Sequence, residues 1–178
     1  MEELVEKKKE RSGAKIWGFF IAECFRDNKL IWTESTGNII TNEGLDRFLN
    51  VMLHATTQTA TWYCGLVETN TAPAAAMTYN VPVFTESTAY AEATRPAYVE
   101  AASTARSTTN SANKAVFTIN DIKTMYGAAL FSINTKGDHT AGADNVLLCY
   151  AIFGTSRAVI SGDIINLTYT ITIADDGV

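Results

Sequence analysis

The sequence predicts a mainly β protein, a jelly-roll or Greek-key-like β-sandwich with one short α-helix and a charged N-terminal arm. Three observations predict it. In the closing stretch Ile165, Leu167, Tyr169, Ile171 and Ile173 alternate with Asn166, Thr168, Thr170 and Thr172. Side chains along a strand point alternately to opposite sides, so this period of two gives one apolar face and one threonine-rich face. Upstream, short runs of β-branched and aromatic residues are separated by turn residues about every ten positions, which is the rhythm of a sandwich. Only one segment, near residues 42 to 54, has helical periodicity.

Taken in order, residues 1 to 14 are dominated by charge and carry, apart from Met1, only Leu4 and Val5 as large apolar side chains. Such a segment cannot bury enough surface to fold alone, so a flexible arm is expected ahead of a single domain at 15–178. Residues 16–24 and 29–34 read as extended, and Arg26-Asp27-Asn28-Lys29 between them suits a hairpin turn. Gly37-Asn38 breaks the chain. Leu45, Phe48, Leu49, Met52 and Leu53 then recur at helical spacing, with Thr41 or Asn42 as N-cap and Glu43 placed well against the helix dipole. These five are expected to pack on a sheet, with Leu49 in the core.

Trp62 to Val67 reads as a buried strand in which Gly65 marks a close approach of another group, and Trp62 is taken as structural. From Glu68 to about Ala112 the chain is rich in Ala, Thr, Ser and Asn and holds all three prolines. A connection of that length is either functional or hides short elements. Phe84, Tyr90, Arg95, Tyr98 and Val99 are expected to keep it ordered. Strands are predicted at 114–119, 123–133, 146–153 and 156–160, with turns at Asn120-Asp121 and Ser161-Gly162-Asp163 and a loop at 137–144. Gly127 is a second close-approach position and Asp163 a structural turn residue. Threonine, present 24 times, suits exposed strand faces because it is β-branched yet polar.

Composition bounds the function classes. The 178 residues are 47% hydrophobic with a net charge of −5, which fits one core and argues against a nucleic-acid binder working by phosphate neutralisation. The one basic cluster, Lys7, Lys8, Lys9 and Arg11, is flanked by Glu2, Glu3, Glu6 and Glu10. The apolar run 16–24 is too short to span a bilayer, so no membrane is expected as a partner. Cys24, Cys64 and Cys149 are odd in number, far apart and set among apolar neighbours, which predicts buried free thiols.

Catalytic chemistry finds little support. The two histidines are His54, at the expected helix end, and His139, in a glycine-containing loop beside Asp138. Neither has the Cys, His or Glu company of a metal site, and no Gly-x-Ser-x-Gly elbow or phosphate-binding glycine loop occurs. Asp138, Asp144, Asp175 and Asp176 match no dedicated calcium loop. The expectation is a non-enzyme with no catalytic residues, no metal and no cofactor.

Several motifs point further. Asn42-Glu-Gly44-Leu45 precedes the helix and Trp62-Tyr63-x-Gly65-Leu66 follows it; then come Phe84-Thr85-Glu86, Tyr90-x-Glu92-x-x-Arg95-Pro96, Thr109-Asn110-Ser-Ala, Phe117-Thr-Ile-Asn, Tyr126-Gly127-Ala and Ser161-Gly162-Asp163. In this order they resemble a family of small structural proteins encoded by tailed bacteriophages, and the likeness covers most of the chain. The resemblance implies a virion protein, above all a head decoration or cement protein on the outer capsid surface, made in the host cytoplasm. It implies the major capsid protein as partner and a dimeric or trimeric state. Lys7, Lys8, Lys9, Arg11, Tyr79, Phe84, Tyr90 and Arg95 are the candidate partner-binding residues. The alternatives are a neck, tail or fibre-base component, and a carbohydrate-binding module stacking sugars on Trp62, Tyr63, Tyr79, Tyr90 and Tyr98.

Overall fold

The computed structural model describes residues 13–175; the candidates Lys7, Lys8, Lys9 and Arg11 lie outside the described residues. Its elements are β1 (Ala14–Arg26), β2 (Lys29–Gly37), β3 (Ile39–Ile40), α1 (Asn42–Leu53), β4 (Trp62–Val67), β5 (Ala97–Tyr98), β6 (Ser107–Thr109), β7 (Ala115–Thr118), β8 (Lys123–Phe131), β9 (Leu147–Val159) and β10 (Ile164–Asp175). They form a β-sandwich of two antiparallel sheets. The first runs β2-β1-β10, with β6 and β7 both paired along the far edge of β10; the second runs β3-β9-β8-β4-β5.

The first and last described strands are neighbours, in register from Ala14 opposite Asp175 to Phe25 opposite Ile164. A return of the chain end beside its beginning is the Greek-key type of closure. Phe20, Ala22 and Cys24 of β1 and Ile165, Leu167 and Tyr169 of β10 face Cys64, Leu66, Leu130, Cys149 and Ala151 of the second sheet across the main core. The alternation in the closing strand therefore does what its pattern predicts, with Ile171 only partly covered at the margin. The hairpin turn is formed by Asp27 and Asn28, both in the left-handed region at φ 50° and 62°, which is the backbone of a type I′ turn. Residues expected as two strands at 146–153 and 156–160 form the single strand β9.

The long connection after β4 is ordered. It contributes β5 and β6, and residues from Met77 to Phe84 lie over the outer face of the second sheet, where Met77, Tyr79 and Phe84 join Val67, Ala129, Phe131, Leu147 and Tyr150 in a second cluster. The second sheet is thus buried on both faces. Tyr90 packs edge-on against Phe117 at 5.0 Å between ring centroids, in the main core.

The helix is where expected, but its phase is not. Thr41 is the N-cap, accepting from the Gly44 N–H at 2.9 Å. The face turned to the sheet carries Gly44, Arg47, Phe48 and Val51, and Gly44 is fully in contact because a Cβ there would meet the Leu148 carbonyl oxygen at 2.6 Å. Leu49, Met52 and Leu53 point away and are 57%, 75% and 80% exposed. The expectation that Leu49 belongs to the core is wrong: a small residue lets the helix approach closely, and the larger apolar positions rotate outward. Leu49→Ala is accordingly expected to change stability by less than about 0.5 kcal/mol, as for other surface positions. Phe48→Ala should cost clearly more, and urea unfolding of the two variants gives the order.

Gly65 and Gly127 are close-approach positions as expected. A Cβ at Gly65 would lie 2.6 Å from the Phe131 ring and 3.2 Å from Glu86 Oε1, and one at Gly127 would overlap the Ala151 carbonyl oxygen. Asp163 is fully buried and receives two hydrogen bonds from Arg26, at 2.7 and 2.8 Å, and one from the Ile160 N–H, fixing the turn into β10.

Candidate interaction surfaces

The four described partner-binding candidates do not reach the surface. Tyr79, Phe84, Tyr90 and Arg95 are all buried. At sequence level a charged or tyrosyl residue in a long loop reads as a contact residue, but here each is consumed by tertiary packing. The same finding removes Tyr79, Tyr90 and Tyr98 from any sugar-stacking platform, while Trp62 and Tyr63 are half-buried.

Arg95 explains why. Its guanidinium makes a bidentate pair with Glu86, both bonds 2.7 Å, and also donates to the Tyr79 hydroxyl, the Ile133 carbonyl and the Asp138 carbonyl. All five of its N–H donors are therefore engaged, which is what makes burial of a charge tolerable. The plane also stacks on Phe131 at 4.0 Å. Glu86 takes a further bond from the Gly137 N–H, and His139 Nε2 lies 3.3 Å from its carboxylate. His139 Nδ1 donates to the Tyr79 carbonyl. Two loops, 79–95 and 133–139, are stapled together by this network.

The Glu86 carboxyl carries a pH signature. Burial is the largest influence and pushes its pKa up, but Arg95, His139 and the Gly137 N–H together outweigh it and hold the carboxyl below the ordinary range. A depressed folded pKa means that the unfolded chain binds the proton more readily. The stability from this group is then complete above the ordinary glutamate range and lost as pH falls through the folded pKa. Asp163, held down chiefly by its bonds from Arg26, acts in the same direction. Wild type should lose stability between pH 5 and pH 3 more steeply than Glu86→Gln, an outcome readable from denaturation midpoints over that window.

Other polar groups near concavities are similarly occupied. A shallow cleft of about 540 Å³ beside the helix N-terminus includes Glu43 and Arg47. Glu43 accepts from the Tyr79 and Leu147 N–H groups, and Arg47 bonds Thr57, Thr59 and Asp144. The three thiols are free and buried. Burial is the main cause that pushes Cys24 and Cys149 up to about 12 and raises Cys64 as well, which removes the thiolate at neutral pH. Among the described residues no group of three or more His, Cys, Asp or Glu is placed to hold a metal ion, and no helix is long and apolar enough to cross a membrane.

What the described surface presents without an internal partner is a set of apolar patches. One patch is the ridge of Leu49, Met52 and Leu53 on α1. A second is the tip of the long connection, where Val81 and Val83 are exposed and Val83 holds φ at 67°, a strained setting for a β-branched residue. The third is the outer face of the first sheet, led by Trp17, Phe19 and Leu30. The signal for the third was present in the run Ile16-Trp-Gly-Phe-Phe-Ile-Ala, which is apolar at both odd and even positions. No protein-family model and no curated protein matches the chain.

Proposed function

We propose that the chain is a non-enzymatic structural protein of a tailed-bacteriophage virion, a decoration or cement protein that binds the major capsid protein on the outer surface of the head and stabilises it. The observation that carries this reading is the rigid apolar ridge on α1. Leu49, Met52 and Leu53 sit at i, i+3 and i+4 on a helix fixed by its Thr41 cap, by Glu43 and by Arg47, and that spacing is the anchor pattern of a helix seated in a partner's groove. The resemblance to small tailed-phage structural proteins supplies the class of partner. Its motif residues Gly65, Glu86, Arg95, Gly127 and Asp163 fix the scaffold, as does buried Asn110, which donates to the Leu167 carbonyl and accepts from the Tyr169 N–H, so the resemblance supports a shared sandwich more than shared contact residues.

Co-sedimentation with capsids lacking the protein tests the reading. Wild type should pellet with them. The L49S/M52S/L53S variant should keep its far-ultraviolet spectrum and lose occupancy, and deletion of residues 2 to 12 should weaken attachment in a salt-sensitive way, since exposed ion pairs are screened. Full occupancy by the triple variant would sink the helix as anchor. A wild-type chain that stays in the supernatant would sink the decoration reading and favour the neck or tail alternative.

A further inference from the structure

We infer that the outer face of the first sheet is a self-association interface at which two copies of this chain pack sheet to sheet about a twofold axis. The strand register places the outward side chains in rows. Trp17 stands beside Thr172, Phe19 beside Thr170 and Gly37, Ile21 beside Thr168 and Ser35, Glu23 beside Asn166 and Thr33, and Phe25 beside Ile164 and Leu30. The opposite, even-numbered side of β1 is the core side, carrying Phe20, Ala22 and Cys24. β1 is therefore apolar on both faces, the pattern of a strand covered on both sides. The second sheet has such cover from its own 77–84 segment; the outer side of the first has no comparable buried apolar cluster among the described residues, and although Lys114 reaches across β10 to Glu23 and Thr168 is buried, Trp17 is 40% and Leu30 55% exposed.

Charge and area select a second copy as the occupant. In these rows Glu23 is the one charged side chain, and it is neutralised by Lys114 at 2.5 Å. Just beyond the Trp17 row the ammonium of Lys15 lies 6.0 Å from the Trp17 ring, and among the described residues the face carries no unpaired acidic group. Two copies of a chain with net charge −5 repel one another across most surfaces, but not across a face whose one carboxylate is paired and whose further charge is basic. Two of the hydroxyls are also partnered within the sheet, Thr170 with Thr109 and Thr172 with Ser107, so these need no water. With ~3.4 Å per residue and ~4.8 Å between strands, the face from Trp17 to Phe25 over four strands measures about 500 Å² per copy. Two such faces reach about 1,000 Å², the lower bound for a specific interface. A twofold axis through Ile21 would set the Trp17 and Phe19 end of one copy on the Phe25, Leu30 and Ile164 end of the other, the self-complementary arrangement an isologous contact requires. Residues 1 to 12 offer only Met1, Leu4 and Val5 as large apolar cover.

The experiment is sedimentation equilibrium of the full chain with Ile21→Glu and Ile21→Cys. Wild type should be a dimer, Ile21→Glu a folded monomer because like charges meet at the axis, and Ile21→Cys an oxidisable cross-linked dimer, the native thiols being buried. A monomeric wild type, or an Ile21→Glu variant that remains dimeric, overturns the interface. If the wild type is monomeric and deletion of residues 2 to 12 makes it dimerise, the N-terminal segment is the cover and the proposal falls. A monomer that binds capsids through Ile21 also overturns it while leaving the decoration reading intact; a dimer that ignores capsids does the reverse.

Discussion

Arg95→Met should destabilise the domain by about 3–5 kcal/mol, the usual cost of removing one partner from a buried ion pair. The substitution keeps most of the side-chain volume but leaves the Glu86 carboxylate sealed in the interior with only the Gly137 N–H and the His139 ring 3.3 Å away. The Tyr79 hydroxyl and the Ile133 and Asp138 carbonyls lose their donor at the same time. Arg95→Lys should not rescue it, because an ammonium cannot reproduce the bidentate fork or span all five acceptors. The double variant with Glu86→Gln should be more stable than Arg95→Met alone, since no charge is then buried. Urea unfolding of the set separates these outcomes, and a loss below 1 kcal/mol for Arg95→Met would show that the network does not hold the long connection in place.

Gly127→Val should prevent folding or cost more than the roughly 1–3 kcal/mol typical of overpacking. The reason is the identity of the obstructing atom: the new Cβ would overlap the backbone carbonyl of Ala151 on the adjoining strand, and a sheet backbone flanked by two packed layers cannot move aside as a side-chain tip can. Gly65→Val meets the Phe131 ring instead, which is itself pressed against Arg95, so its effect should be smaller though still large. Soluble yield and melting transitions of the two variants test the order. A Gly127→Val protein that melts like wild type would contradict the β8–β9 register.

What the sequence made legible was local. The alternation in β10, the Asp27-Asn28 turn, the helix bounds and the two close-approach glycines all follow from short-range periodicity or backbone geometry, and each is realised. Failures came where a tertiary partner decided the matter. Leu49, Met52 and Leu53 look like a core stripe until Gly44 is seen to be the point of closest approach. Arg95 and Tyr79 look like surface groups because Glu86 and the 133–139 loop, which neutralise and cover them, are far away in the chain. The apolar double face of β1 was visible as composition, but only the cover over the second sheet makes its lack on the first informative.

The most direct test of the decoration reading is the molar ratio of this protein to the major capsid protein in purified virions, measured by quantitative mass spectrometry. A decoration protein distributed over the head lattice should be present at a ratio of the same order as the capsid subunits. A ratio of only a few copies per head, or absence from the virion, would contradict it.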